Sequence, residues 1–181
     1  MLIPPQNESS EMPFKNPQAA VRIMQILILS LMLGILIFAG IAVLVNSQPR
    51  PEQKVLNSPI AFTVLGVIAA VINIALRIFV PGLVSTAVLK NIAKKRGPGN
   101  ITKLDIYPAY LNGLLVGAAL LEGAAFFNIV AVLITREYWT LGVAGVLFAL
   151  MAAAFPTFDR VDYWAEEQLR DLQRDPPVRN Q

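Results

Sequence analysis

The stretch from residue 113 to residue 133 constrains the fold of this chain more than any other part of the sequence. It reads GLLVGAALLEGAAFFNIVAVL and is apolar throughout, except for Glu122 at its middle and Asn128. About 20 consecutive apolar residues are what a helix needs to cross a bilayer. A carboxylate at the centre of such a helix costs several kcal/mol unless it is paired or protonated. We therefore predict an integral membrane protein organised around a helix with a buried acid.

The amino-acid composition excludes several classes of protein. The sequence is 55% hydrophobic, with a mean hydropathy of +0.57, which is unusual for a soluble domain. It contains no Cys and no His, which excludes disulfides, iron–sulfur clusters, Cys or His zinc sites, and Ser-His-Asp or Cys-His nucleophiles. The polar groups that remain within the apolar segments are few and dispersed. We therefore expect no catalytic residues, no metal site, no cofactor and no enzymatic activity.

The hydrophobic pattern predicts an all-α fold, an integral membrane four-helix protein with a C-terminal amphipathic cytosolic helix. The transmembrane domain covers residues 19–156, with spans near residues 19–45, 60–89, 109–134 and 138–155. Its first apolar run is too long for a signal peptide and is expected to be a retained span. Residues 1–18 contain four prolines and predict a flexible arm. Residues 157–175 predict the amphipathic helix, and residues 176–181 a tail.

Basic residues lie mainly at one end of the predicted spans. They are Lys15, Arg22, Lys90, Lys94, Lys95, Arg96, Lys103, Arg160, Arg170, Arg174 and Arg179. The opposite end holds Arg50, Lys54 and Arg136. The positive-inside rule then predicts that both termini are cytoplasmic, and a bacterial-type inner or cytoplasmic membrane is favoured. Because the cations follow this topology pattern, the basic composition does not indicate nucleic-acid binding. The basic turn at residues 94–96 either only sets this topology, which is the simpler interpretation, or also binds anionic lipid headgroups.

Small and polar residues at helical spacing mark the protein-facing sides of three spans. They are Ser30 and Gly34 in the first span, Gly66, Ala70, Asn73 and Arg77 in the second, and Gly113 and Gly117 in the third. At 100° per residue, Asn128 shares a side of the third span with the two glycines, and Glu122 lies on the other side. The third span is therefore expected to pack between neighbours, away from lipid.

Arg77 and Glu122 lie almost equally far from the turn that joins the second and third spans. An antiparallel hairpin would bring them to similar depths, which predicts an intramembrane ion pair with Asn73 and Asn128 nearby. The pair would lock two helices in register, or Glu122 would bind and release a proton or cation. A permanently charged arginine favours the ionised carboxylate and works against a proton carrier, so the structural role is preferred.

Two segments of this hairpin, AKKRGP at residues 93–98 and LLEGAAFFNIV at residues 120–130, resemble the proteolipid c subunit of rotary ATP synthases. The resemblance covers residues 60–134, and it implies that Glu122 is an ion-binding position. From the residues themselves we expect a non-enzymatic membrane subunit or scaffold, with lipids as partners, that forms a homo-oligomer or joins a larger complex. The alternative is a proton- or cation-translocating subunit with Glu122 as its ion site.

Overall fold

The structure, a computed structural model, describes residues 16–49, 59–97 and 100–174. In this part of the chain five helices follow one another: α1 Pro17–Ser47, α2 Pro59–Arg96, α3 Lys103–Thr135, α4 Trp139–Ala153 and α5 Phe158–Arg174. No strand occurs among these residues, which confirms the all-α prediction. Most of the predicted arm at residues 1–18 and all of the tail at residues 176–181 lie outside the described residues.

Local signals fix both ends of α3. At its start the backbone N–H of Thr102 donates to Asp105 Oδ2 at 2.9 Å, a capping interaction that satisfies a donor left free at the first turn. At its end Arg136 adopts the left-handed conformation, with φ 60°, and its N–H donates to the Val132 carbonyl at 2.8 Å. The helix therefore begins several residues before the span predicted from hydropathy, because the capping residues precede the apolar run.

Helix α3 is the centre of the bundle and packs against each of the other four helices. Half of its most apolar stretch is buried, against 17% for the corresponding stretches of α1 and α2. The buried core around it includes Leu121 and Ile129 of α3, Ile28 of α1, and Leu147 and Met151 of α4. Burying each large aliphatic side chain of this kind contributes about 1.5–3 kcal/mol in water, and in a membrane the gain comes from packing.

Hydrogen bonds between helices show the direction in which each one runs. The Asn46 side chain, near the end of α1, donates to the carbonyl of Val132, near the end of α3, at 2.8 Å. These two helices are therefore parallel, while α2 runs the opposite way. One end of the bundle, called here the basic end, consequently contains the start of α1, the end of α2, the start of α3 and most of α5. Its described cations are Arg22, Lys90, Lys94, Lys95, Lys103, Arg160, Arg170 and Arg174.

The outer surfaces of α1 and α2 are apolar. Their exposed large side chains include Ile26, Leu29, Leu33, Leu36, Ile37, Leu44, Ile60, Leu65, Val71, Ile78, Phe79 and Leu83. A soluble monomer rarely exposes an apolar surface of this extent. Among the described helices, three are long and apolar enough to cross a membrane: Pro17–Ser47, Ile60–Lys95 and Lys103–Thr135. This is consistent with a multi-pass membrane protein.

The structure differs from the prediction of a fourth span at residues 138–155. It corresponds to α4, whose 15 residues extend about 22 Å, less than the roughly 30 Å of a hydrocarbon core. Helix α5 follows after a bend of 66°, and only the two together have the length and composition of a span. The described chain thus has three candidate spans, or four if α4 and α5 form one broken span. The apolar side of α5, with Val161 and Ala165 fully buried, packs on α1 and α3.

Candidate functional site

Glu122 lies in the central part of α3 and faces α1. Its Oε1 is 3.7 Å from the place that a Cβ on Gly34 would occupy, and the Phe126 ring is equally close to that place. The Phe126 ring in turn packs edge-on against Phe38 of α1, with centroids 5.2 Å apart. Within the described part of the chain, no group forms a hydrogen bond or an ion pair with the Glu122 carboxylate. The acid is half-buried among apolar groups and has no polar partner there.

Next to Glu122, one face of α3 is uncovered. Its exposed residues are Asn112, Ala119, Gly123, Val130 and Ile134, called here the open strip. A Cβ placed on Gly123 would meet nothing within 4 Å. At 100° per residue the open strip lies between the side of α3 that faces α1 and the side that faces α2. The strip is therefore an uncovered, mainly apolar face with small residues at Ala119 and Gly123 and with Glu122 at its border.

Arg77 contacts a different side of α3. Its Nη1 lies 3.1 Å from the position of a Cβ on Gly117, so the guanidinium packs directly on that glycine. Gly117 and Glu122 are five positions apart, which is about 140° around the helix and about 7.5 Å along it. The backbone of α3 consequently separates the two charges, and the predicted Arg77–Glu122 ion pair is not formed. The number of residues from the turn predicts only how deep each side chain lies in the membrane. Whether two side chains meet also depends on the direction in which each one points around α3.

The two asparagines grouped with this pair also have other partners. The Asn73 side chain donates to the carbonyl of Ala69 in its own helix at 2.8 Å. Asn128 is fully buried and donates across to the Gly66 carbonyl of α2 at 3.1 Å. Neither residue forms a hydrogen bond with Glu122. Asn128 instead joins α2 to α3, which makes it a positioning residue for that helix pair.

Glycines allow α2 and α3 to pack closely. A Cβ on Gly113 would overlap Ser85 Oγ and lie 2.9 Å from the Pro81 carbonyl oxygen. A Cβ on Gly117 would lie 3.2 Å from Pro81 Cγ, and one on Gly66 would lie 2.9 Å from the Asn128 side chain. A side chain at Gly113 would press on the α2 backbone at Pro81, whereas one at Gly117 or Gly66 would require the neighbouring side chains to shift. The close approach also brings Ser85 Oγ to the Ala109 carbonyl, to which it donates at 3.0 Å.

The other residues predicted to pack between helices or to bind lipid headgroups are partly buried and partly exposed in the structure. Ala70 is buried in the core, and Gly34 faces α3, whereas Ser30 is exposed, so the Ser30–Gly34 pair does not act as one contact. Lys94 and Lys95 are exposed at the end of α2. The Arg96 side chain lies outside what the structure describes.

A second polar site lies between α2, α3 and the bend from α4 to α5. It is a cleft of about 360 Å³, called here the arginine cleft, whose polar lining includes Arg77, Tyr110, Arg160, Trp164 and Gln168. The Tyr110 and Trp164 rings pack edge to face, with centroids 5.2 Å apart. The sequence analysis did not identify Tyr110, Arg160, Trp164 or Gln168 as site residues. The amphipathic pattern shows that α5 has an apolar side, but not which surface covers it.

Ionic contacts attach α5 to the start of α3. Lys103 Nζ lies 3.2 Å from Asp162 Oδ2 and 3.3 Å from Glu166 Oε2. Arg170 forms a further ion pair with Glu166 at 2.6 Å within α5. The hydrogen bonds from Lys103 and Arg170 hold the pKa of Glu166 below its ordinary value. All of these side chains are substantially exposed, so solvent screens the pairs, and they orient α5 more than they stabilise it.

Comparison with known proteins gives no match: no family model, curated protein or solved structure is significantly similar to this chain. Among the described residues, no group of three or more acidic side chains is placed to hold a metal ion. The candidate site is therefore defined by Glu122 with the open strip on one side of α3, and by the arginine cleft on another.

Proposed function

We propose that this chain is a non-enzymatic integral membrane subunit that assembles, with copies of itself or within a larger complex, through the open strip of α3. The observation that carries the proposal is the isolation of Glu122. A carboxylate in the central part of an apolar helix is expensive without a partner, and among the described residues it has none. A helix seated on the open strip would shield Glu122 from lipid and supply a hydrogen-bonding group.

The composition of the open strip supports this assembly. Association of helices inside a membrane depends on van der Waals packing and is strongest where small residues let two backbones approach. Ala119 and Gly123 provide such a floor, and the space above Gly123 is empty. On α4, Gly142 and Gly145 are equally open. The uncovered small residues thus lie where a neighbouring helix gains the most contact.

The proposal includes an orientation. With the basic end in the cytoplasm, the exposed lysines and arginines lie on the side that the positive-inside rule requires. Both termini would then be cytoplasmic, in a bacterial-type inner or cytoplasmic membrane. The apolar outer surfaces of α1 and α2 would face lipid.

A second candidate is a proton- or cation-translocating subunit in which Glu122 carries the ion. The separation of Arg77 from Glu122 favours it, because no described cation holds the carboxylate in its ionised form. Among the described residues, Glu122 thus lacks the paired arginine that would work against a proton carrier. The resemblance to the proteolipid c subunit, which implies an ion-binding role for Glu122, agrees with this candidate.

Replacing Glu122 with Gln in the full-length protein separates the two candidates. An assembly role predicts a lower native mass in mild detergent, because glutamine keeps the shape but not the charge or proton of the carboxylate. A transport role predicts an unchanged mass with loss of ion flux in vesicles and of carbodiimide labelling. The matched control is Glu167→Gln, which changes an exposed carboxylate on α5. An E122Q protein unchanged in mass, flux and labelling would exclude both roles.

A further inference from the structure

We propose that the arginine cleft binds a phosphate oxyanion, carried by the headgroup of an anionic phospholipid in the leaflet at the basic end. The cleft brings the guanidinium groups of Arg77 and Arg160 to one space from two different helices. None of the described residues that line it is acidic. Arginine guanidinium groups match the geometry of phosphate oxygens and form charge-assisted hydrogen bonds with them.

Arg77 is one of the two cations that line the cleft. It is half-buried, and within the described residues it forms neither a hydrogen bond nor an ion pair. Its position is set by Gly117, which lies in contact with Nη1. Because a partly buried cation without a counter-charge is costly, an anion in the cleft would remove a cost that the isolated chain carries.

Groups on the other walls complete the site. Arg160 Nη1 donates to the Ala153 carbonyl at the end of α4, at 3.2 Å, which holds this guanidinium at the bend. The Tyr110 phenol lies within electrostatic range of both guanidinium groups. Trp164 packs against the Tyr110 ring and fixes its orientation. A hydroxyl donor near two arginines is suited to an oxygen-rich anion.

The depth of the cleft favours a lipid headgroup as the source of the phosphate. Arg77 lies about 27 Å along α2 from its start, and α4 ends about 22 Å from its own start. Both distances approach the roughly 30 Å thickness of a hydrocarbon core, so the cleft lies near the boundary where headgroups begin. Phe79 and Leu83, which lie two residues on either side of the cleft residue Pro81, are each 68% exposed and are placed to contact acyl chains at that depth. The cleft volume of about 360 Å³ accommodates a phosphate headgroup.

The test measures lipid retained by the purified full-length protein, using native mass spectrometry after exchange into mixed phosphatidylglycerol and phosphatidylcholine. Loss of one arginine contact near the surface, about 1 kcal/mol, lowers the preference for phosphatidylglycerol about fivefold. We expect this decrease for Arg77→Gln and for Arg160→Gln. Because Arg77 is half-buried, the more exposed Arg160 provides the variant that leaves the fold undisturbed.

The matched control is Lys94→Gln, which removes an exposed cation from the basic end without touching the cleft. Its preference for phosphatidylglycerol should remain close to that of the unmodified protein. A loss as large as that of Arg160→Gln would overturn the proposal, since general attraction of anionic lipid would explain it. Equal retention in the unmodified protein, R77Q and R160Q would overturn it as well.

A second arm identifies the source of the oxyanion. Inorganic phosphate is titrated against the protein in nanodiscs made only of phosphatidylcholine, and binding is followed by calorimetry. Phosphate binding that R77Q and R160Q abolish supports the same site with a soluble ligand. Absence of phosphate binding together with an arginine-dependent phosphatidylglycerol preference supports the lipid headgroup. Absence of both overturns the site, and none of these readouts depends on whether the protein assembles through the open strip.

Discussion

Arg77 and Glu122 lie on opposite sides of α3, with Arg77 packed on Gly117 and Glu122 facing Gly34 of α1. The sequence predicts that these two residues form an ion pair, but α3, the helix that contains Glu122, lies between them. This separation creates two distinct sites. Glu122 is left at the border of the open strip, and Arg77 becomes part of the arginine cleft.

A double-mutant cycle tests this separation. We expect the effects of Arg77→Gln and Glu122→Gln on unfolding free energy to add, with a coupling energy within about 0.5 kcal/mol, because the groups share no contact. Thermal or denaturant unfolding of the four proteins in one detergent provides the values. A coupling energy well above 1 kcal/mol would show that the charges interact, in conflict with the structure.

Gly113 is predicted to be the position most sensitive to a single added methyl group. In Gly113→Ala the new Cβ overlaps Ser85 Oγ and crowds the Pro81 carbonyl, which should destabilise the protein by about 1–3 kcal/mol. The matched control is Gly40→Ala on α1, where a Cβ meets nothing within 4 Å and the change should be neutral or slightly stabilising. Unfolding midpoints in detergent measure both, and equal midpoints would contradict the close packing of α2 on α3.

Asn128 is expected to position α2 against α3 through its bond to the Gly66 carbonyl. Asn128→Leu removes that bond, and one to the Ala124 carbonyl, from a fully buried site, and a hydrogen bond between membrane helices is worth about 0.6–2 kcal/mol. In Asn73→Leu the lost bond lies within α2, so the cost should be smaller. Unfolding free energies of the two variants, compared in the same detergent, check this order. The reverse order would be inconsistent with a bridging role for Asn128.

The attachment of α5 should depend on pH through Glu166. Its pKa in the folded protein lies below the ordinary value of 4.5, because Lys103 and Arg170 donate to its carboxylate. The contribution of Glu166 is therefore fully present above about pH 4.5 and is lost as the pH falls through the lowered value. The protection factors of the α5 amides, which are exchange rates corrected for the intrinsic rate at each pH, should fall in that acidic range.

The control for the pH experiment is Glu166→Gln, in which the same carboxylate is absent. The protection factors in α5 of this variant should show a weaker dependence on pH over the same range. At neutral pH the difference between the two proteins should be small, because these side chains are exposed and their interaction is screened. An identical pH dependence in both proteins would assign the effect to another group.

Much of the fold follows from hydrophobic pattern, and the sites follow from it only in part. The apolar runs predict α1, α2 and α3, because few structures other than a helix satisfy the backbone of such a segment in a bilayer. The division of α3 into a side with Gly113, Gly117 and Asn128 and a side with Glu122 also follows from helical periodicity. Periodicity does not say which of these two sides faces α2, and the contacts of Gly113 and Gly117 with α2 show that it is the glycine side.

Other features depend on tertiary packing, which the helical periodicity of the sequence does not predict. Pro156 indicates where α4 must end, but the 66° bend and the return of α5 onto α3 depend on which surface receives its apolar side. The arginine cleft is assembled from α2, α3 and α5, so its residues are distant in sequence. Tyr110 and Arg160 carry no motif that relates them, and only the docking of α5 brings them together.

The most direct test of the central claim is the native mass of the full-length protein when the open strip is blocked. Gly123→Leu places a large side chain in the empty space beside Glu122, and Gly40→Leu places the same side chain on an equally open position of α1. We predict that the unmodified protein and G40L form the same assembly in mild detergent, whereas G123L dissociates to a smaller species. An assembly of equal mass in all three proteins, or an unmodified protein that is already monomeric, would contradict the claim.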